Sequence, residues 1–310
     1  MSLRFNYQAY GLKIASAIEL PELGEPIELR GEADLVIRCG IVARFATAGG
    51  GERDGRRWLD PQHFWLHIDG TAHYLVGNGR EITVMADVDA EPSAVRAYLL
   101  GSVCGAMLVQ RGFLVLHGNA IRIGDGCLVC VGDSGAGKST LAAGFLKRGF
   151  PVLADDVVAV DAAGQAIPGF PRIKLWQNAA DQLGLSTEGR HRVVPGMDKY
   201  NLPIEVFEPQ ARLPIRWIYQ LTSGDVDCVR VEPIAGLRRF RLLRDNTYRS
   251  EYLEGQAMHA DHLMQCSKLA SQAHVATVQR PDKGFSLDML IDSLLDDATK
   301  TKADRRSPLS

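Results

Sequence analysis

No charge of one sign dominates this 310-residue chain: 35 lysines and arginines stand against 37 aspartates and glutamates, a formal net charge of −2. So small an imbalance recruits neither nucleic acid nor an anionic membrane, and the sequence predicts neither as a partner. Aromatic residues are scarce at 7%, and there are six cysteines: Cys39, Cys104, Cys127, Cys130, Cys228 and Cys266. A chain of this length buries a core without disulfide staples, so the six are expected as reduced thiols in the cytoplasm. Long apolar runs are lacking too. The best, Tyr98 to Val109, is short and runs into Gln110 and Arg111, which predicts a buried helix instead of a membrane span. The first ten residues include Arg4 and interleave polar groups, so no signal peptide is expected. No internal repeat is evident.

What is present is the composition of an ordinary folded protein, 46% hydrophobic and 23% charged. Short alternating runs at Ala33 to Arg38, Phe64 to Ile68 and Ile82 to Met85 are broken by Gly49-Gly50-Gly51 and Asp69-Gly70. They predict a small, mostly β N-terminal domain over residues 1–90 with a mainly antiparallel sheet. Pro92-Ser93 then opens a helix with Val95, Leu99, Val103 and Met107 on one face, covering or linking two units. A larger α/β domain is expected over 91–298, and a polar, flexible tail over 299–310.

Within the larger unit, Phe113 to His117, Ala120 to Ile123 and Cys127 to Val131 read as three strands, with Gly124-Asp125-Gly126 as a hairpin turn. A helix follows from Lys138 to about Arg148, with Gly149 ending it, then a strand from Pro151 to Ala154. A further hairpin turns at Ala162 to Gln165, and Pro168 to Trp176 is expected to be extended or looped. The polar stretch Ser186 to Asn201 is a candidate active-site loop. Strands are expected at Leu213 to Leu221 and Cys228 to Val231. A last helix carries the apolar stripe Leu287, Leu290, Ile291, Leu294 and Leu295. The lone C-x-x-C at Cys127 and Cys130 has no second pair to complete a zinc site. In an extended run its members face opposite sides, so it belongs to the core.

The chemistry concentrates after Val131. Gly132-Asp133-Ser134-Gly135-Ala136-Gly137-Lys138-Ser139-Thr140 contains G-x-x-x-x-G-K-[ST] between a strand and a helix. Glycines let the backbone curl with its N–H groups towards phosphate oxygens, and the helix N-terminus adds partial positive charge. Lys138 is expected to reach the β- and γ-phosphates, and Ser139 to take a position on Mg²⁺. One helix later comes Asp155-Asp156. A crossover helix returns the chain in parallel, which brings these carboxylates to the bound phosphates. One can hold the metal while the other accepts the proton of an attacking hydroxyl, in either order; the working assignment gives Asp155 the base role and pairs Asp156 with Ser139 on Mg²⁺. His117 lies just before the hairpin and could tune an active-site carboxylate or simply belong to the core. Arg238, Arg239, Arg241, Arg244 and Arg249 form a cluster whose default reading is a solvated helix face, with a phosphate clamp as the alternative. Lys174 and Lys199-Tyr200 are weaker candidates of the same kind.

These residues resemble a known family. His117-Gly118, the strand to Val131, the Gly132 to Ser139 loop, Lys147-Arg148-Gly149-Phe150 and Leu153-Ala154-Asp155-Asp156 are similar to the catalytic core of bacterial HPr serine kinase/phosphorylase. The resemblance spans His117 to Val160 and implies a P-loop kinase core of the HPr-kinase/phosphoenolpyruvate-carboxykinase type. It also implies ATP- and Mg²⁺-dependent phosphorylation of a serine, with His117, Lys138 and the acid pair in catalysis. The family's E-[IV]-R-G signature of phosphorolysis is missing: the chain reads Pro168-Gly-Phe-Pro-Arg-Ile-Lys-Leu-Trp176. The wider layout, through Tyr10-Gly-Leu, Pro168 to Leu175, Asn201-Leu-Pro and Arg244-Asp-Asn-Thr-Tyr-Arg, resembles the HPr-kinase-like proteins of lasso-peptide biosynthesis, which phosphorylate the C-terminal serine of a precursor peptide. The expected partner is therefore a peptide or small protein with an acceptor serine, with self-association left open. An HPr-type regulatory kinase, a non-catalytic ATP-binding regulator and a carboxykinase-like enzyme are the alternatives.

Overall fold

Period-two alternation in the first ninety residues becomes a seven-stranded sheet. The computed structural model describes residues 3–42, 57–60, 62–205, 208, 210–253, 256–283 and 286–306. The strands are β1 (Phe5–Ala9), β2 (Leu12–Ser16), β3 (Leu35–Cys39), β4 (Arg57–Leu59), β5 (His63–Ile68), β6 (Ala72–Gly77) and β7 (Glu81–Ala86). They lie in the order β1-β2-β3-β7-β6-β5-β4, with β3 parallel to both of its neighbours and every other pair antiparallel. Tyr10 and Gly11, both at positive φ (54° and 68°), make the two-residue turn between β1 and β2. The expected turn at Gly49-Gly50-Gly51 lies outside the described residues.

The helical connection runs from Pro92 to Gln110 as α1 (Pro92–Tyr98), a π turn (Leu99–Val103) and α2 (Cys104–Gln110). Proline fits its first turn because that N–H has no helical partner to lose. By length and composition this helix could cross a membrane, which corrects the expectation that no run is long enough; 61% of the qualifying window is nevertheless buried inside the protein. Val95, Leu99, Val103 and Met107 are all buried among side chains of the first sheet. The same cluster takes in Val115, Val157 and Tyr248 from the second half, so the helix is the shared core of both.

The second half contains β8 (Leu114–Ile123), β9 (Gly126–Val131), α3 (Lys138–Lys147), β10 (Val152–Val160), β11 (Gln165–Ile167), β12 (Arg172–Trp176) and α4 (Gln177–Leu183). It continues with β13 (Lys199–Pro203), β14 (Leu213–Gly224), β15 (Arg230–Pro233), α5 (Leu237–Asp245), α6 (Gln256–Gln272), β16 (His274–Pro281) and α7 (Leu287–Arg306). Its main sheet has the order β11-β10-β8-β9-β14-β16-β15, with β12 and β13 forming a separate pair. Leu141 and Phe145 of α3 and Leu290, Ile291 and Leu294 of α7 bury against one face; Leu242 and Leu243 of α5 and Cys266 and Leu269 of α6 bury against the other. Cys127 and Cys130 fall in these opposite clusters, as strand alternation requires.

Three expectations are corrected. The two runs flanking Gly118-Asn119 are one continuous strand, β8, because Gly118 and Asn119 pair with β9 and β10 without a break. The acids lie within β10, not at its end. Residues 299–306 are helical, not a flexible tail: Trp217 Nε1 donates to Thr301 Oγ1 (2.9 Å) and Lys302 pairs with Asp125 (2.8 Å), which fastens the polar end of α7.

Candidate active site

The loop between β9 and α3 is shaped by backbone that only glycine adopts freely. Gly132, Gly135 and Gly137 have φ of 139°, 86° and 98°. A Cβ at Gly132 would also stand 2.6 Å from the Leu221 carbonyl oxygen, so the loop rests directly on β14. Lys138 Nζ donates to the carbonyls of Gly132 (2.8 Å) and Asp133 (3.0 Å), which holds the ammonium inside the curl. Asn119 Nδ2 donates to the Lys138 carbonyl and ties the first turn of α3 to β8; its Oδ1 is buried without a partner.

Register carries the acids to this loop. Strand β10 is parallel to β9 but separated from it by β8. Asp156 pairs with Gly118, and Gly118 with Val131, the last residue of β9. At Gly118 a Cβ would run into the Cys130 carbonyl, which explains the glycine after His117. Successive strand residues normally face opposite sides. Asp156 has φ 75°, and this local break in the strand lets both carboxylates line one cavity. Asp155 accepts from Ser139 Oγ (2.9 Å) and from the Lys174 backbone N–H (2.8 Å). Asp156 accepts from Lys174 Nζ (2.6 Å), while His117 Nδ1 lies 3.1 Å from the Asp156 carbonyl oxygen and 3.5 Å from its carboxylate. The hydroxyl of Ser139 thus stands against Asp155, not the Asp156 expected from the sequence.

Environment separates the two acids. Burial raises Asp155 above the ordinary carboxylate range, against the hydrogen bonds from Lys174 and Ser139. Burial would raise Asp156 as well, but the charge and hydrogen bond of Lys174, with His117, outweigh it and hold the group at about 2. His117 is lowered, first by burial and then by the Lys138 charge. Burial also lowers Lys138 and Lys174, while Asp156 opposes the shift in both.

Two cavities meet here. One of about 400 Å³ is lined by Ser134 to Thr140, Asp155, Trp176, Lys199 and Arg280. The other, about 550 Å³, is lined by Gly132, Asp133, Ser102, Met197, Tyr248 and Arg249. His117, Ser134, Asp156 and Lys174 line both. The segment Ser186 to Asn201 is fastened to β13 by backbone bonds from Val193 to Lys199 and from Asn201 to His191, and it lends Val194 and Met197 to the second cavity. Of the five arginines only Arg249 lines either cavity; Arg238, Arg239, Arg241 and Arg244 belong to α5. Trp176, Arg280, Asn119 and Tyr248 were given no site role from the sequence, although Tyr248 falls in the Arg244 to Arg249 run of the wider resemblance. Trp176, two residues beyond Lys174 on one strand, also had a signal there, since alternate positions share a face.

Among the described residues no group of three or more His, Cys, Asp or Glu side chains is set to hold a metal. The oxygen pair of Ser139 and Asp155 instead suits a hard cation that takes one or two protein ligands and completes its shell with phosphate and water. No protein-family model and no curated protein matches this chain. Among solved structures, the HPr(Ser) kinase/phosphatase from Coxiella burnetii aligns over 62% of this chain and 93% of its own, at 14% identity and a TM-score of 0.30. The chain is a mixed α/β protein with a low-level likeness to that kinase, and a score of this size carries no argument.

Proposed function

We propose that this protein is an ATP- and Mg²⁺-dependent kinase that phosphorylates a serine of a peptide or small protein, the C-terminal serine of a lasso precursor peptide being the preferred acceptor class. The observation that supports it is the junction of two cavities at Asp156, His117 and Lys174, with Gly135, Gly137 and the first turn of α3 lining the first of them. In this reading the nucleotide occupies the first cavity, with its phosphates against the backbone N–H groups of Ser134 to Thr140. Ser139 and Asp155 would hold Mg²⁺, which when bound neutralises charge on the phosphate oxygens. Lys138 leaves the loop carbonyls for the phosphates.

The acceptor serine enters from the second cavity, and its Oγ–H donates to Asp156. As the new O–P bond forms, the bond from the γ-phosphorus to the bridging oxygen breaks, ADP leaves with that electron pair, and the serine proton passes to Asp156. Lys174 now neutralises Asp156; a γ-phosphate competes for the same ammonium, and its departure makes Asp156 a better proton acceptor. His117 steadies the Asp156 backbone. This reverses the assignment favoured from sequence: Asp155 serves the metal and Asp156 the proton.

Labelled ATP and serine-ending peptides test the reading. The wild type is expected to add one phosphate. Asp156→Asn lowers kcat by about 10²- to 10⁴-fold with nucleotide binding and Mg²⁺ dependence retained. Asp155→Asn instead raises the Mg²⁺ concentration needed. ATP binding with no label on any serine would sink the proposal, and an unchanged Mg²⁺ requirement in Asp155→Asn would sink the division of roles.

A further inference from the structure

Away from the site described above, a third cavity of about 440 Å³ opens between the first sheet and the β12–β13 pair. Its lining includes the apolar Leu23 and Ile27 after β2, and Pro171 and Ile204 beside β12 and β13. Arg172, the first residue of β12, also lines it and is only 5% exposed. Its Nη1 donates to Asn201 Oδ1 (2.8 Å), and the guanidinium carbon lies 5.4 Å from the centre of the Phe170 ring. Among the described residues it has no carboxylate partner. Among the described residues its other nitrogens have no hydrogen-bond partner and are not sealed from solvent, and the residue lines this cavity.

A buried cation without a counter-charge is costly. Of the two carboxylates along this cavity, Glu22 is held by Arg96 Nε (2.9 Å) and Glu25 is exposed, as are Arg190 and His191. The guanidinium therefore has no carboxylate partner among the described residues, and Arg172 lines an apolar chamber. We propose that this cavity binds a ligand bearing one carboxylate on an apolar body, with the carboxylate docked on Arg172. A peptide ending in an apolar residue and a small organic acid share this chemistry. The inference is independent of the kinase reading. It also touches that site mechanically, because two residues along β12 Lys174 contacts Asp155 and Asp156.

Calorimetric titration of the full chain tests it with N-acetyl-leucine against N-acetyl-leucinamide. The acid is expected to bind about ten-fold or more tightly than the amide, the share of one charge-assisted hydrogen bond. Arg172→Gln removes that preference. Because a buried substitution can unfold the chain, Ile27→Glu provides a second variant: it places a negative charge at an exposed rim position and weakens the acid with the fold intact by circular dichroism. Excess ATP leaves acid binding unchanged. N-acetyl-Ala-Ala-Leu and hexanoate separate the two sources; tighter binding of the peptide assigns a chain terminus, and tighter binding of hexanoate a small acid. Equal affinity for acid and amide, binding of neither, displacement by ATP, or unaltered binding in both folded variants overturns the proposal.

Discussion

Asp155 and Asp156 are neighbours whose protonation pulls the folded chain in opposite directions. Asp156 is held at about 2 against an ordinary 3.8, so its stabilisation is present above the unfolded value and disappears as pH falls from about 4 towards 2. A depression of that size is worth about 2 kcal/mol at neutral pH. Asp155 is raised by burial, so its ionised form opposes folding above the raised value and that penalty fades as pH drops through it. Urea unfolding at pH 7 is therefore expected to find Asp156→Asn less stable and Asp155→Asn more stable than the wild type. At pH 3 the gap to Asp156→Asn narrows; a gap that stays constant with pH would show that charge is not its origin. The pairing of these acids with the glycine loop was legible, since chain distance and crossover geometry fix it. Which acid faces Ser139 was not, because the answer depends on one backbone angle, φ 75° at Asp156, which no local pattern announces.

At the scale of elements, apolar stripes read correctly and polar anchors did not. The stripe from Leu287 to Leu295 marks α7 as a packed helix, and Leu290, Ile291 and Leu294 are buried as it implies. Beyond it the sequence turns polar and looks frayed, yet Thr301 and Lys302 bond to Trp217 and Asp125, partners more than eighty residues away. Deleting residues 299–310 is expected to lower Tm by several degrees, since ΔΔG of about 1–2 kcal/mol moves a chain of this size by about 2–4 °C per kcal/mol. It should also shift tryptophan emission to the red as Trp217, now 3% exposed, meets water. Unchanged emission would show that this end of α7 does not cover the indole. Strand β8 misled for a related reason. Gly118 and Asn119 look like a break, but the glycine serves close approach to Cys130 and the asparagine serves a bond to α3.

The two seven-stranded sheets share one apolar cluster, in which Leu35, Ile82 and Tyr74 of the first meet Leu99 and Met107 of the connecting helix and Val115 and Val157 of the second. Neither sheet can lose this helix without exposing its own inner face. Calorimetry is expected to show one heat-absorption peak for both halves; two resolved peaks would mean that the halves melt independently. The change from alternating strands to strand–helix units was legible, whereas the order of the second sheet was not, because its pairings join strands far apart in the chain. Among them is the seat of the glycine loop: Gly132 rests on Leu221, a residue supplied by β14 almost ninety positions later. During synthesis, then, the glycine loop emerges from the ribosome complete in sequence but without its floor, and a nascent chain stopped before β14 carries every letter of the motif without the strand that seats it.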